Sequence, residues 1–215
     1  MGHLVYHRVV EGCAEAGSVP LARFHQHCRF LRASRRYVSV HDDVTIQTHK
    51  SWVTLDDGDA SAFGAVKMLT EVGIKPLLFV IPGWLNGRDI EHVYGRALTW
   101  AELRELMRCG AAIGSHSYTH RRMDVMSWQE AVKEAEQSKV QLEDLLGIGV
   151  SAFAFPYGFW SATAVDAVRT AGYGAVFGTD ADLNAGSRAG CAVAGRATVG
   201  RSTTLAKLVG KVWLL

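Results

Sequence analysis

Short apolar runs alternate along this chain with amphipathic segments, and that alternation constrains the fold more than any other feature. The clearest run is Pro76 to Ile81, where no polar residue interrupts Pro-Leu-Leu-Phe-Val-Ile. A strand with one wet face alternates polar and apolar side chains, so an unbroken run fits a strand covered on both faces. Leu4 to Val10, Trp52 to Leu55, Ala111 to Ser115, Ser151 to Phe155, Ala175 to Phe177 and Ala192 to Val199 predict the other strands. Helices are predicted between them. One runs from Pro20 to about Ala33, with Ser18 or Val19 near its cap, and one from Ala60 to Val72, closed by Gly73. Thr99 and Ser127 each open a helix with a glutamate three residues on, Glu102 and Glu130, which is the capping-box pattern; Gly110 and Gly147 stop them. Ser161 to Ala171 and Thr203 to Val212 complete the set. Such β-α alternation argues for a parallel sheet with helices outside it, as a barrel or as a doubly wound sheet.

The 215 residues suit one domain, taken here as 1–215, large enough to bury a sizeable core. Net charge is +2, and Arg35-Arg36 and Arg121-Arg122 are the only basic pairs, so the basic stripe of a nucleic-acid-binding surface is missing. No stretch approaches the roughly 18 apolar residues of a membrane span. No basic segment followed by an apolar run opens the chain, so the expectation is a cytoplasmic protein; an exported one whose leader had been removed would read the same. Cys13, Cys28, Cys109 and Cys191 are far apart and predict free thiols rather than a zinc ribbon or disulfide framework.

Three polar clusters each follow a predicted strand: Thr54-Leu55-Asp56-Asp57-Gly58, His116-Ser117-Tyr118-Thr119-His120 and Phe153-Ala154-Phe155-Pro156-Tyr157-Gly158. In parallel α/β folds the C-terminal strand ends share one face, where active sites form, so the three can converge. One Asp and two His make a three-ligand set with coordination positions left open, the signature of a catalytic metal. A second carboxylate is then free to take a proton from water. Adjacent residues of a straight strand point to opposite faces, so both aspartates converge only if the chain turns there, which Gly58 permits. Pro156 has no N–H, leaving that of Tyr157 to face a developing oxyanion. Taken singly each cluster has a plain structural reading, a turn above all; their joint occurrence at strand ends carries the signal.

These motifs resemble those of the polysaccharide deacetylase family, carbohydrate esterase family four, with its T-F-D-D-G, H-[ST]-x-x-H and Pro-Tyr motifs. The resemblance covers roughly residues 3 to 200 and includes Ile113-Gly114-Ser115 before the first His. It implies a distorted (β/α) barrel of about seven parallel strands. It also implies Asp56 as general base and Asp57, His116 and His120 as ligands of a divalent metal, zinc or else cobalt. Tyr157 then contributes its backbone to the oxyanion hole, and the substrate is a saccharide bearing N-acetyl groups. Two departures stand out. Many members carry an Arg two residues before the motif Pro, where this chain has Ala154; Arg196 and Arg201 are candidate replacements. Most members end with an L-x-H motif that supplies the acid, but no His follows His120 here. Val5-Tyr6-His7 has the same form, which resembles a circularly permuted branch that includes poly-N-acetylglucosamine deacetylases. His7 would then be the general acid and Val5 would line the pocket for the acetyl methyl.

Trp84, Tyr94, Phe159 and Trp160, with Pro156, are candidates for a sugar-binding groove, since aromatic faces suit pyranose rings; core packing is the rival account. His41-Asp42-Asp43 with His49 is a weaker metal candidate, and His25 and His27 read as structural or exposed helix residues. Rival functions are an O-acetyl esterase or other small-amide hydrolase on the same constellation, and a sugar-binding relative without activity.

Overall fold

The computed structural model describes residues 2–12, 17–39, 50–85, 89–90, 95–179 and 193–214. Seven parallel strands form its centre: β1 (His3–Tyr6), β2 (Val53–Leu55), β3 (Pro76–Val80), β4 (Ala112–Ser115), β5 (Ala152–Ala154), β6 (Ala175–Phe177) and β7 (Arg196–Thr198). They pair in the order β6-β5-β4-β3-β2-β1-β7. Phe177 bridges Ala194 in parallel, through Gly178 N–H to Ala194 O and Ala194 N–H to Val176 O, which draws the two edges together. The sheet is thereby nearly closed into a distorted (β/α) barrel, with α1 (Leu21–Ser34), α2 (Ala62–Glu71), α3 (Trp100–Arg108), α4 (Trp128–Leu146) and α5 (Ala162–Thr170) among its connections and α6 (Leu205–Leu214) after β7. No helix among the described residues is long and apolar enough to cross a membrane.

Strand parity sorts the side chains. Leu4, Tyr6, Val53, Leu55, Leu78, Val80, Ile113 and Phe153 face the helices in the main core. Trp52, Leu77, Phe79, Ala152, Ala154 and Phe177 form a second cluster inside the barrel. Both faces are dry, which is why Pro76–Val80 reads as one apolar run. The interior mixes bulky and minimal residues: a Cβ on Gly114 would meet the Phe79 ring at 2.5 Å, so the ring needs the glycine opposite it.

The sequence-derived capping boxes form as expected: Thr99 accepts from Glu102 N–H, Ser127 from Glu130 N–H, and each glutamate bonds back. Differences are local. The run Leu4 to Val10 splits at His7, because Arg8–Val10 leaves the barrel to pair with Ser18–Pro20. Ser18 therefore lies in a strand, and α1 starts after Pro20 with no side-chain cap. After β3, Pro82–Trp84 is a 3₁₀ turn and Asp89–Ile90 pairs with Gly95–Arg96. Ala192, Tyr94, Cys13, Cys191, His41-Asp42-Asp43 and His49 lie outside the described residues.

Two histidines are built into this architecture rather than the site. His3 accepts from Trp52 N–H at 3.0 Å inside the barrel, and His27 meets the Tyr6 hydroxyl at 3.2 Å in the outer core. Burial is the main force that pushes both down from 6.5 to about 4, assisted at His3 by the charge of Arg196. A group with a depressed folded pKa lets the unfolded chain bind the proton more readily, so stability is full above the unfolded value and lost below it. The contribution of these two rings to the thermal midpoint is expected to be flat above pH 6.5 and to fall between 6.5 and 4. His27→Gln should shallow that slope; a midpoint unchanged down to pH 4 would contradict the burial of both rings.

Candidate active site

Asp56 keeps the inward parity of Trp52 and Thr54 and so caps the barrel interior at the end of β2. Asp57 would face outward in an extended chain. The backbone turns at Asp57 itself, with φ of 73° there and 72° at Gly58. The turn thus begins one residue before the glycine to which the sequence points, and short polar side chains such as Asp tolerate that region better than most. Both carboxylates end up buried on the same side.

His116 continues the inward parity of Gly114. Its Nδ1 donates to the Ala154 carbonyl at 2.8 Å, which aims Nε2 at the aspartates, where it would ligate an ion once its proton is lost. Nε2 of His116 lies 3.5 Å, and Nε2 of His120 3.4 Å, from Asp57 Oδ1. The three donor atoms lie within 4.8 Å of one another. Ligands about 2.1 Å from a tetrahedral ion are separated by about 3.4 Å, so the donor set fits a divalent metal. The electrostatics agree. Burial opposes ionisation of Asp57, but the His116 hydrogen bond and the surrounding imidazoles outweigh it and hold the carboxyl at about 2. Burial, then the neighbouring His116, push His120 down to about 4, so this ring is neutral and ready to ligate. His116 is drawn the other way: burial disfavours its charge, yet Asp56 and Asp57 raise its pKa, a proton that an incoming cation displaces.

Arg196, from β7, is the basic partner of Asp56. It has no exposed surface. Nη1 and Nη2 donate to Asp56 Oδ1 and Oδ2 at 2.6 and 2.8 Å, Nη1 also to Thr54 Oγ1 at 3.0 Å, and Nε to the Gly178 carbonyl at 2.9 Å. The guanidinium lies 5.1 Å from the Phe79 ring centre. Burial would raise the Asp56 pKa; the charge of Arg196, then that of His116, outweighs it and keeps the carboxyl below its ordinary value. Ala154, the position of the expected Arg, leaves room inside the barrel. Arg201, the other candidate, is exposed, and its carbonyl accepts from Arg23.

Pro156–Gly158 forms a 3₁₀ turn with Tyr157 at φ 59°. Gly158 and Phe159 donate the bonds that close it, so the Tyr157 N–H is not consumed there. The Tyr157 ring lies 4.5 Å from that of His120, tilted by 43°, and Trp84 meets the same imidazole edge-on at 5.0 Å. His7, at the split after β1, faces Asp56, Asp57, His116, His120 and Tyr157 across a cleft of about 210 Å³. Its Nδ1 is buried without a hydrogen-bond partner.

The remaining sequence candidates scatter. Val5 is fully buried one strand repeat below His7, paired with Thr198, and Thr198 with Thr179 walls the cleft instead. Pro156 is buried. Phe159 is exposed beneath the Arg122 guanidinium, 4.4 Å away, outside the cleft. Trp160 packs against the main core. His25 is exposed on α1. Sequence reading missed Thr179 and Thr198, which carry no motif, and Glu134, whose one signal was a carboxylate on the core-facing stripe of α4.

A nearly closed parallel barrel, with an Asp-His-His donor set and a second carboxylate at the C-terminal strand ends, defines an α/β protein built for hydrolytic chemistry. The chain belongs to the polysaccharide deacetylase family, whose profile matches residues 44–176. It is 22% identical over 179 residues to YxkH of Bacillus subtilis (strain 168), whose description is that of a presumed polysaccharide deacetylase; the match covers 79% of this chain and 61% of that protein's length. The fold matches the Streptococcus pyogenes deacetylase PplD in complex with acetate (TM-score 0.79, 18% identity, 98% and 97% of the two chains). A de-N-acetylase from Aggregatibacter actinomycetemcomitans is also similar (0.80, 18%, 98% of each), as is IcaB from Ammonifex degensii (0.76, 24%, 99% and 95%).

Removing one member of a buried ion pair strands the other charge, at a cost of about 3–5 kcal/mol. Arg196→Ala should lower unfolding stability in denaturant by that order, and Asp56→Asn in the same background should recover part of the loss. Additive losses would mean that the pair is not coupled.

Proposed function

We propose that the protein is a metal-dependent hydrolase that removes N-acetyl groups from an N-acetylglucosamine-containing saccharide and releases acetate. The observation that carries this reading is the convergence of a second, Arg-clamped carboxylate on the Asp57-His116-His120 donor set. Family membership supports a deacetylase, and the likeness of fold to a de-N-acetylase favours an amide over an ester. A divalent ion at the donor set, zinc or cobalt, would polarise the acetyl carbonyl and acidify an attacking water.

The side chains divide the remaining work. Asp56, held ionised and oriented by Arg196, accepts the proton of the water as oxygen bonds to the acetyl carbon. The Tyr157 N–H donates to the oxygen that gains charge. His7 donates a proton to the nitrogen as the C–N bond breaks, which yields acetate and a free amine. The strand order supports His7 in this role: β1 lies between β7 and β2, where the last strand of a barrel starting at β2 would lie, as in a circularly permuted chain.

Acetate release is measured from N-acetylglucosamine oligomers and O-acetylated sugars, with stripped enzyme and enzyme reloaded with zinc or cobalt. Release from the N-acetyl substrates alone, only with metal, is expected; release from the O-acetyl sugars alone would make the protein an esterase. Asp57→Ala should lose the metal, whereas Asp56→Asn and His7→Ala should keep it and lose turnover by about 10²–10⁴-fold. Normal turnover in His7→Ala would remove the acid assignment and with it the permuted reading.

A further inference from the structure

The loop that carries His120 is strained, and its hydrogen bonds trace to one side chain outside the motifs. Ser117 and His120 both have positive φ, 64° and 63°. Non-glycine residues persist there only where the surroundings over-determine the backbone. The loop makes one bond within itself, His120 N–H to Ser117 Oγ at 3.0 Å. On one side, Gly83 N–H donates to the Tyr118 carbonyl at 3.1 Å, an approach so close that a Cβ on Gly83 would stand 2.5 Å from that oxygen. On the other side stands Glu134. Its Oε2 accepts from Tyr118 N–H at 3.1 Å and Thr119 N–H at 3.0 Å, and its Oε1 from the Thr119 hydroxyl at 2.7 Å.

Glu134 is only 8% exposed and lies on the buried face of α4 with Ala131, Ala135, Ser138 and Leu142. Ser138, one turn on, bonds Ser115 Oγ at the end of β4, directly before His116. The same helix face therefore grips the chain on both sides of the first histidine. Nothing about helix packing calls for a carboxylate at this position: its partners are three donors of the loop, and apolar residues occupy the neighbouring stripe.

We infer that Glu134 is a positioning residue for the metal centre, holding the His116–His120 loop in the strained conformation that brings both Nε2 atoms to Asp57 Oδ1. This rests on the reading of Asp57, His116 and His120 as metal ligands. Leucine at 134 would fill the space and leave two N–H groups and a hydroxyl without an acceptor. Glutamine would keep all three contacts, because its carbonyl can take the two N–H groups while its amide donates to a reversed Thr119 hydroxyl.

The test is cobalt affinity, measured by competition with a chelator on the whole chain, beside the thermal midpoint of the metal-free protein. Glu134→Leu should weaken cobalt binding by about 10- to 100-fold, the range for partners that orient metal ligands. Glu134→Gln should restore affinity to near that of the unaltered protein. Thr119→Val, which removes one contact, should weaken binding less, and it stands in if Glu134→Leu does not fold. Cobalt binding as tight as in the unaltered protein, with only the metal-free midpoint lowered, would reduce Glu134 to a structural residue and overturn the inference. An unaltered protein that binds no cobalt or zinc would overturn the metal centre itself, and this inference with it.

Discussion

A guanidinium closed off from water fills the middle of the barrel and holds Asp56 by both oxygens. Much of the site follows from that contact. Two buried charges are tolerated because the geometry is bidentate and two of the other three N–H donors of Arg196 go to Thr54 and the Gly178 carbonyl. The pair ties β7 to β2 across the interior, and through Gly178 to the strand next to the seam. It also keeps Asp56 ionised in a place where burial alone would neutralise it. The carboxylate proposed as the base and the strand across from it thus share one interaction.

Around that anchor the backbone strain is concentrated where chemistry is proposed. Five described non-glycine residues have positive φ, and four of them are Asp57, Ser117, His120 and Tyr157. Each such residue is disfavoured in isolation and is held by its neighbours. The hydrogen bonds that hold the His120 loop come from Gly83, Ser117 and Glu134, and Trp84 and Tyr157 both pack against the His120 ring. The side chains that supply these supports come from segments far apart in the chain, so the site exists only once the barrel has formed.

Much of the architecture was legible beforehand because it depends on local rules. Apolar runs buried on both faces, capping boxes at Thr99 and Ser127, and glycines past helix ends all report short-range physics. The motif residues Asp56, Asp57, His116, His120 and Tyr157 were legible for the same reason: each sits within a few residues of a strand end. Aromatic side chains near the motifs are not placed by such local rules. Trp160 joined the core and Phe159 went under Arg122, because an aromatic ring near a motif serves packing as readily as binding.

The sequence by itself determined the position of the barrel strands, most helix starts and stops, and the donor types available to a metal. It left two basic residues open as the partner of Asp56 and contained no local mark for Glu134 beyond a carboxylate in an apolar stripe. Tertiary structure decided those points, since a contact between β7 and β2, or between α4 and the loop after β4, is set by how strands and helices pack across the barrel and not by spacing along the chain. The physical reason is reach: periodicity and capping act over a few residues, whereas Arg196 and Asp56, 140 residues apart, meet only after β7 and β2 have paired on either side of β1.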